Sequence, residues 1–195
     1  MRSRSFGLAT IVLLISVAVG CASQPTAELR LVGDPATRVN SALNDVPYGQ
    51  PVTEGSILLC VTQPATATLT SVALDQPTGD ITVDAFAVRL DPYYQGLPFV
   101  GDVRQPLAII GGGFQPGAPQ IVSGVCPDDD TIGPAEVESQ LRELAFEVSW
   151  SAGEYAGARD LSVTYEIDGT SKTALIPFGI WLCAATCPEG LGLDP

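Results

Sequence analysis

From residue 56 onward the chain is a series of short apolar runs cut by proline and glycine. Ile57, Leu58, Leu59 and Val61 make the first run, and Pro64 closes it. Residues 67–74 are rich in Thr and Val, and residues 81–90 follow a Pro77-Thr78-Gly79-Asp80 turn signal. Residues 107–110 run into Gly111-Gly112-Gly113, and residues 120–126 form another short run. With 16 Pro and 20 Gly among 195 residues there is little room for long helices.

Two later segments alternate cleanly. Leu144, Phe146, Val148 and Trp150 interleave with Ala145, Glu147 and Ser149, and Leu161, Val163, Tyr165 and Ile167 with Ser162, Thr164 and Glu166. A period of two predicts strands with one face in the core and one in water. Asp168-Gly169 then leads into residues 172–177, and both residues tolerate positive φ, as a type I′ hairpin loop demands. That loop sets a register: Ile167 opposite Thr170, Tyr165 opposite Lys172, Val163 opposite Ala174 and Leu161 opposite Ile176. Opposed residues share a face, so Ala174 and Ile176 join the core while Ser171 and Thr173 face water.

One segment suggests a helix. Residues 134–144 place Val137, Leu141 and Leu144 at three- and four-residue spacing behind Pro134, and they read equally as an acidic loop entering the strand. About seven to nine short strands and at most one short helix predict an all-β fold, an antiparallel β-sandwich. Its layering resembles the immunoglobulin-like architecture. The Cys-Trp-Cys spacing and the tyrosine-corner context of true immunoglobulin domains are absent, and an architecture carries no function by itself.

The N-terminus carries an address. Arg2 and Arg4 precede an uncharged apolar stretch over residues 6–19, the length of a signal sequence and short for a membrane span. Ala18-Val19-Gly20-Cys21 resembles a bacterial lipobox, with Ala18 where Leu is usual. The resemblance implies a signal peptide over residues 1–20 and lipid on Cys21. The same small residues also suit plain secretion, and an uncleaved anchor helix is the third reading. Residues 21–55 are poor in large apolar side chains and read as a flexible tether spanning on the order of 30 Å. Only residues 28–32 hint at a strand. The sandwich is expected over residues 56–195.

Composition narrows the chemistry. The chain has no histidine, so His-based triads and His-ligated metals are excluded. Nine Lys and Arg stand against 22 Asp and Glu, a net charge of -13, and cleavage before Cys21 would remove Arg2 and Arg4 and leave -15. This balance opposes binding of nucleic acid or an anionic membrane face by charge. Eight arginines to one lysine resemble exported proteins of high-GC bacteria.

Each candidate site has a plain structural alternative. Asp128-Asp129-Asp130 lacks the spacer pattern of a calcium loop and reads as solvated acids, so no metal or cofactor is expected. Glu143, Glu147 and Glu154 are the carboxylates available to a hydrolase, with Glu147 predicted on a wet face. Gly111-Gly112-Gly113 lacks the Lys-Ser/Thr of a phosphate loop and reads as a bend. Lys172 sits just past the hairpin and is expected exposed. Tyr93, Tyr94 and Phe99 give residues 91–106 three aromatics and few strand features, which suits either a recognition loop or a cover for the core. Cys60, Cys126, Cys183 and Cys187 are an even set suited to an oxidising compartment, and two structural disulfides are expected. Of three pairings, Cys60–Cys126 with Cys183–Cys187 is favoured, because a four-residue separation bridges across a tight turn. A pairing that ties Cys183 back to Cys60 or Cys126 stays open.

The leading functional reading is a lipid-anchored, non-enzymatic binding or structural module of the cell envelope, on the extracytoplasmic side of the membrane. Its partner would be another envelope protein or a wall polymer. The alternatives are a carboxylate-dependent envelope hydrolase, which needs two converging acids, and a small-ligand carrier, which needs a pocket between the sheets.

Overall fold

The computed structural model describes residues 26–32, 38–92, 97–127 and 140–191. They form a mostly antiparallel β-sandwich of two sheets with one helical turn. The strands are β1 (Leu29–Leu31), β2 (Val39–Leu43), β3 (Val52–Val61), β4 (Ala67–Asp75), β5 (Thr78–Leu90), β6 (Gln120–Val122), β7 (Arg142–Ala158), β8 (Asp160–Ile167), β9 (Thr170–Ile176) and β10 (Phe178–Cys183). The turn α1 is Leu107–Ile110. Among the described residues no helix is long and apolar enough to cross a membrane.

The first sheet is organised by β7. β5 runs along one edge of β7, while β3 pairs with its first half and β10 with its end. β1 adds to β3, and β2 adds to β10 in parallel, the one parallel pairing between described strands. The second sheet has the order β6-β4-β8-β9. Leu144, Phe146, Val148 and Trp150 of β7 point between the sheets and meet Leu161, Val163 and Tyr165 of β8. Phe146 packs edge-on to Phe178 with ring centroids 5.8 Å apart. Full burial of such side chains contributes roughly 1.5–3 kcal/mol each.

The β8–β9 register is the one the Asp-Gly loop dictates, from Ile167 opposite Thr170 to Leu161 opposite Ile176. Asp168 and Gly169 both take positive φ, at 51° and 73°. Ile176 is buried and Ala174 packs against the core, while Ser171 and Thr173 are exposed.

Four local expectations shift. Strand structure begins well before residue 56: β1 falls where residues 28–32 hint at a strand, β2 is a further strand, and the two join the first sheet and bury Leu29 and Leu43. The described residues between 26 and 55 are therefore mostly sheet and hydrogen-bonded turn, with Leu29, Leu31 and Leu43 packed at the sheet edges. The turn before β5 falls at Gln76, at φ 45°, and Thr78–Asp80 are already strand. Residues 107–110 form a helical turn rather than a strand. Residues 142–144 of the suggested helix are the start of β7, and its residues 134–139 lie outside the described set.

The cysteines pair as Cys60–Cys126 and Cys183–Cys187. The first bridge ties the end of β3 to the segment after β6, beside the backbone bonds Val61 N–H to Gly124 and Cys126 N–H to Val61. The second closes the turn after β10. There Cys187 N–H donates to Asn44 Oδ1 at 2.7 Å, and Val46 N–H donates to the Cys183 carbonyl at 2.9 Å.

Candidate functional site

The chain leaves the sandwich after β5 and returns at β6, and residues 97–119 of this excursion lie on the outer face of the first sheet. Alternation assigns that face to water. Instead Ala87 and Ala145 are fully buried, and with Val100, Leu107 and Phe114 they make a second, small core. Small side chains on the sheet let the excursion sit close.

A buried ion pair anchors it. Arg89 and Glu143 stand opposite each other on β5 and β7, and Arg89 Nε donates to Glu143 Oε2 at 2.6 Å with both side chains out of water. Glu143 Oε1 also accepts from the N–H groups of Val100 at 2.8 Å and Ser56 at 3.2 Å. The two remaining arms of Arg89 donate to the carbonyls of Gly112 at 3.0 Å and Pro98 at 2.7 Å. Its guanidinium also lies 4.5 Å from the Phe114 ring centroid, a cation–π contact. Each buried charge is thus paired and hydrogen-bonded, the condition for tolerating it.

Local backbone geometry serves the pair. A β-bulge between Glu54 and Ile57 turns Ser56, at φ 62°, so that its N–H meets Glu143. Gly112 takes φ 63°, and a Cβ there would lie 2.5 Å from Arg89 Nη1, so only glycine lets the loop close over the arginine.

Further bonds pin the rest. Glu147 Oε2 accepts the Leu107 N–H at 2.8 Å at the start of α1. Gln120 accepts the Val88 N–H at 2.7 Å and donates to the Gln115 and Ala118 carbonyls. Thr53 and Val103 exchange backbone bonds, and Arg104 donates to the carbonyls of Asn44 and Asp45. On this fixed frame Leu97, Phe99 and Ile109 remain exposed, Ile109 at 68 %. Phe99 sits between Pro98 and Val100, both hydrogen-bonded to the ion pair, so its position is set from both sides.

Shallow grooves flank the returning segment. One, about 400 Å³, is lined by Val88, Leu90, Gln115, Ile121 and Arg142 among others, and burial pushes the Arg142 guanidinium below its ordinary pKa. The other, about 390 Å³, lies between Leu69, Asp84, Phe86 and Pro116.

Of the residues singled out by sequence, Phe99 lies on the excursion, whereas Cys21, Tyr93, Tyr94 and Asp128 to Asp130 lie outside the described residues. The hydrolase carboxylates do not converge. Glu143 is committed to Arg89, Glu147 is half-buried and caps α1, and Glu154 is exposed further along β7. Glu147 was expected on a wet face, and the excursion covers it. Lys172 is half-buried and donates to the Ala27 carbonyl at 2.8 Å, because its partner Tyr165 places it on the core side. Among the described residues no cluster of three His, Cys, Asp or Glu could hold a metal ion. Arg89 was missed altogether. Its only signal is a charge inside an apolar run, which becomes informative once Glu143 is known to lie opposite.

No protein-family model matches the chain, and no curated protein matches it. Among solved structures, the CooA pilin subunit from enterotoxigenic Escherichia coli aligns over 83 % of this chain and 100 % of its own length. The identity is 10 % and the TM-score 0.36, too low to carry an argument about fold or role.

Proposed function

We propose that this protein is a non-enzymatic binding module of the cell envelope, held on the extracytoplasmic side of the membrane by lipid on Cys21, with the excursion as its recognition surface. The observation that supports this reading is the combination of a buried Arg89–Glu143 anchor with exposed Leu97, Phe99 and Ile109 on the segment it holds. Apolar side chains fixed in water cost little further entropy on binding, and aromatic anchors dominate interface energies. The partner class is another envelope protein or a wall polymer. A strongly acidic domain gives nucleic acid no electrostatic footing.

Two measurements test it on the full chain in its native membrane. A photocrosslinker at position 99 should capture a defined partner that the same group at exposed Thr173 does not. Equal capture, or none at either place, defeats the recognition surface. Mass spectrometry of the mature N-terminus should find diacylglyceryl on Cys21, and a Cys21→Ala protein still retained on membranes would defeat the anchor.

A further inference from the structure

The excursion also meets β3 at a pair of acids, Glu54 and Asp102, which the recognition surface does not use. Glu54 on β3 is 4 % exposed and lies opposite Phe146 of β7. Its Oε1 accepts the Gly55 N–H at 3.2 Å, and its buried Oε2 meets no donor. The antiparallel bridge between Thr53 and Val103 sets Glu54 opposite Asp102, whose carboxylate accepts the Ser41 hydroxyl of β2 at 2.7 Å. Two carboxylates are acceptors only, and their contact is attractive when one proton lies between them.

The neighbours decide which acid carries the proton. Thr53 and Val103 exchange backbone bonds at 2.8 and 3.0 Å, so Asp102 is held against Glu54. The neighbouring Glu54 carboxyl most of all, then the Ser41 hydroxyl and the Arg104 charge, favour the charged form of Asp102 against its partial burial. Glu143 of β7, near Gly55, is committed to Arg89. Burial leaves Glu54 as the protonated partner.

We propose that the Glu54–Asp102 pair holds one proton that latches residues 102–105 of the excursion to β3, so that opening expels this proton to water and grows more frequent as pH rises. In the closed protein burial, with Asp102 beside it, raises the Glu54 pKa from 4.5 to about 9. In the open protein Glu54 meets water and titrates near its ordinary value. The closed form therefore binds more protons between these limits, and the open-to-closed ratio rises about tenfold per pH unit within them. Below the ordinary value both forms hold the proton and the dependence vanishes. Asp102, held below its ordinary 3.8, adds an opposite dependence only in stronger acid. The latch stands apart from whatever the excursion binds.

Amide hydrogen exchange at Thr53 and Val103, corrected for intrinsic rates, reads the opening. Its constant should rise about 100-fold over two pH units, from mildly acidic to slightly alkaline buffer. Glu54→Gln keeps a hydrogen bond to Asp102 without a titrating proton and should flatten the response. A pH-independent opening constant overturns the latch, and so does an equal rise at Val163 and Tyr165 of β8, which would assign the proton to global unfolding. If the variant does not fold, carbon-13 carboxyl NMR of the unaltered protein decides: a Glu54 midpoint well above 7 supports the latch, and one near 4.5 overturns it.

Discussion

The β8–β9 hairpin and the outer face of β5 and β7 are built on the same period of two, yet they are held in different ways. In the hairpin every outward residue meets water, and the register follows from Asp168-Gly169 and the apolar set behind it. On β5 and β7 the outward residues Ala87, Arg89, Glu143 and Ala145 are buried under residues 97–119. Alternation says which residues share a face. It does not say whether a further layer of chain covers that face.

The contrast breaks most sharply at Glu143. Glu143→Ala leaves Arg89 buried without its anion and removes the acceptor for the Val100 and Ser56 N–H groups. It should cost about 3–5 kcal/mol in denaturant unfolding. Thr173→Ala on the hairpin should stay within about 0.5 kcal/mol. Similar values for the two would mean that the excursion contributes little to the domain.

The disulfides extend the comparison. Cys60–Cys126 spans 66 residues and encloses the whole excursion, whereas Cys183–Cys187 spans four. On chain entropy alone, replacing both cysteines by serine should cost about 4 kcal/mol for the long bridge and about 2 for the short one. Equal losses in calorimetry would point to native-state packing instead.

A smaller effect isolates the hairpin loop. Gly169 has open space for a Cβ but sits at φ 73°, so Gly169→Ala should cost about 1 kcal/mol through backbone strain alone. Hairpin cross-peaks should survive in NMR. A shifted register would show that the loop, and not the apolar face behind it, sets the pairing.

The smallest expected change is at Phe99. It is 40 % exposed while its neighbour Val100 is buried. Phe99→Ala should therefore move the unfolding free energy by less than about 0.5 kcal/mol and Val100→Ala by about 1–3 kcal/mol. A large loss at Phe99 would return the aromatic to the role of core cover and leave the recognition surface without its anchor.

Much of the fold was legible because strand pattern and turn chemistry act within a few residues. The sandwich class, the β8–β9 pairing and the inward face of β7 all follow from alternation and one dipeptide. Of the N-terminal strands, β1 was hinted at by residues 28–32, whereas β2 was invisible, since Leu43 stands between Ser41-Ala42 and Asn44-Asp45 and finds its place only against β10. The candidate site was half legible. Three aromatics in residues 91–106 marked the segment, but Arg89 showed only as a charge inside an apolar run, and nothing in the sequence marked Glu54 or Asp102.

The sequence by itself determined the layers, the hairpin register, the acidic balance and the even set of four cysteines beyond Cys21. These rest on composition and on periods that repeat within a strand. Only the tertiary structure decided which charges are buried together. Arg89 and Glu143 are 54 residues apart, and Ser41 and Asp102 are 61. A buried charge survives only beside its particular partner, and across such separations the partner is chosen by the close approach of packed elements, which local pattern does not encode.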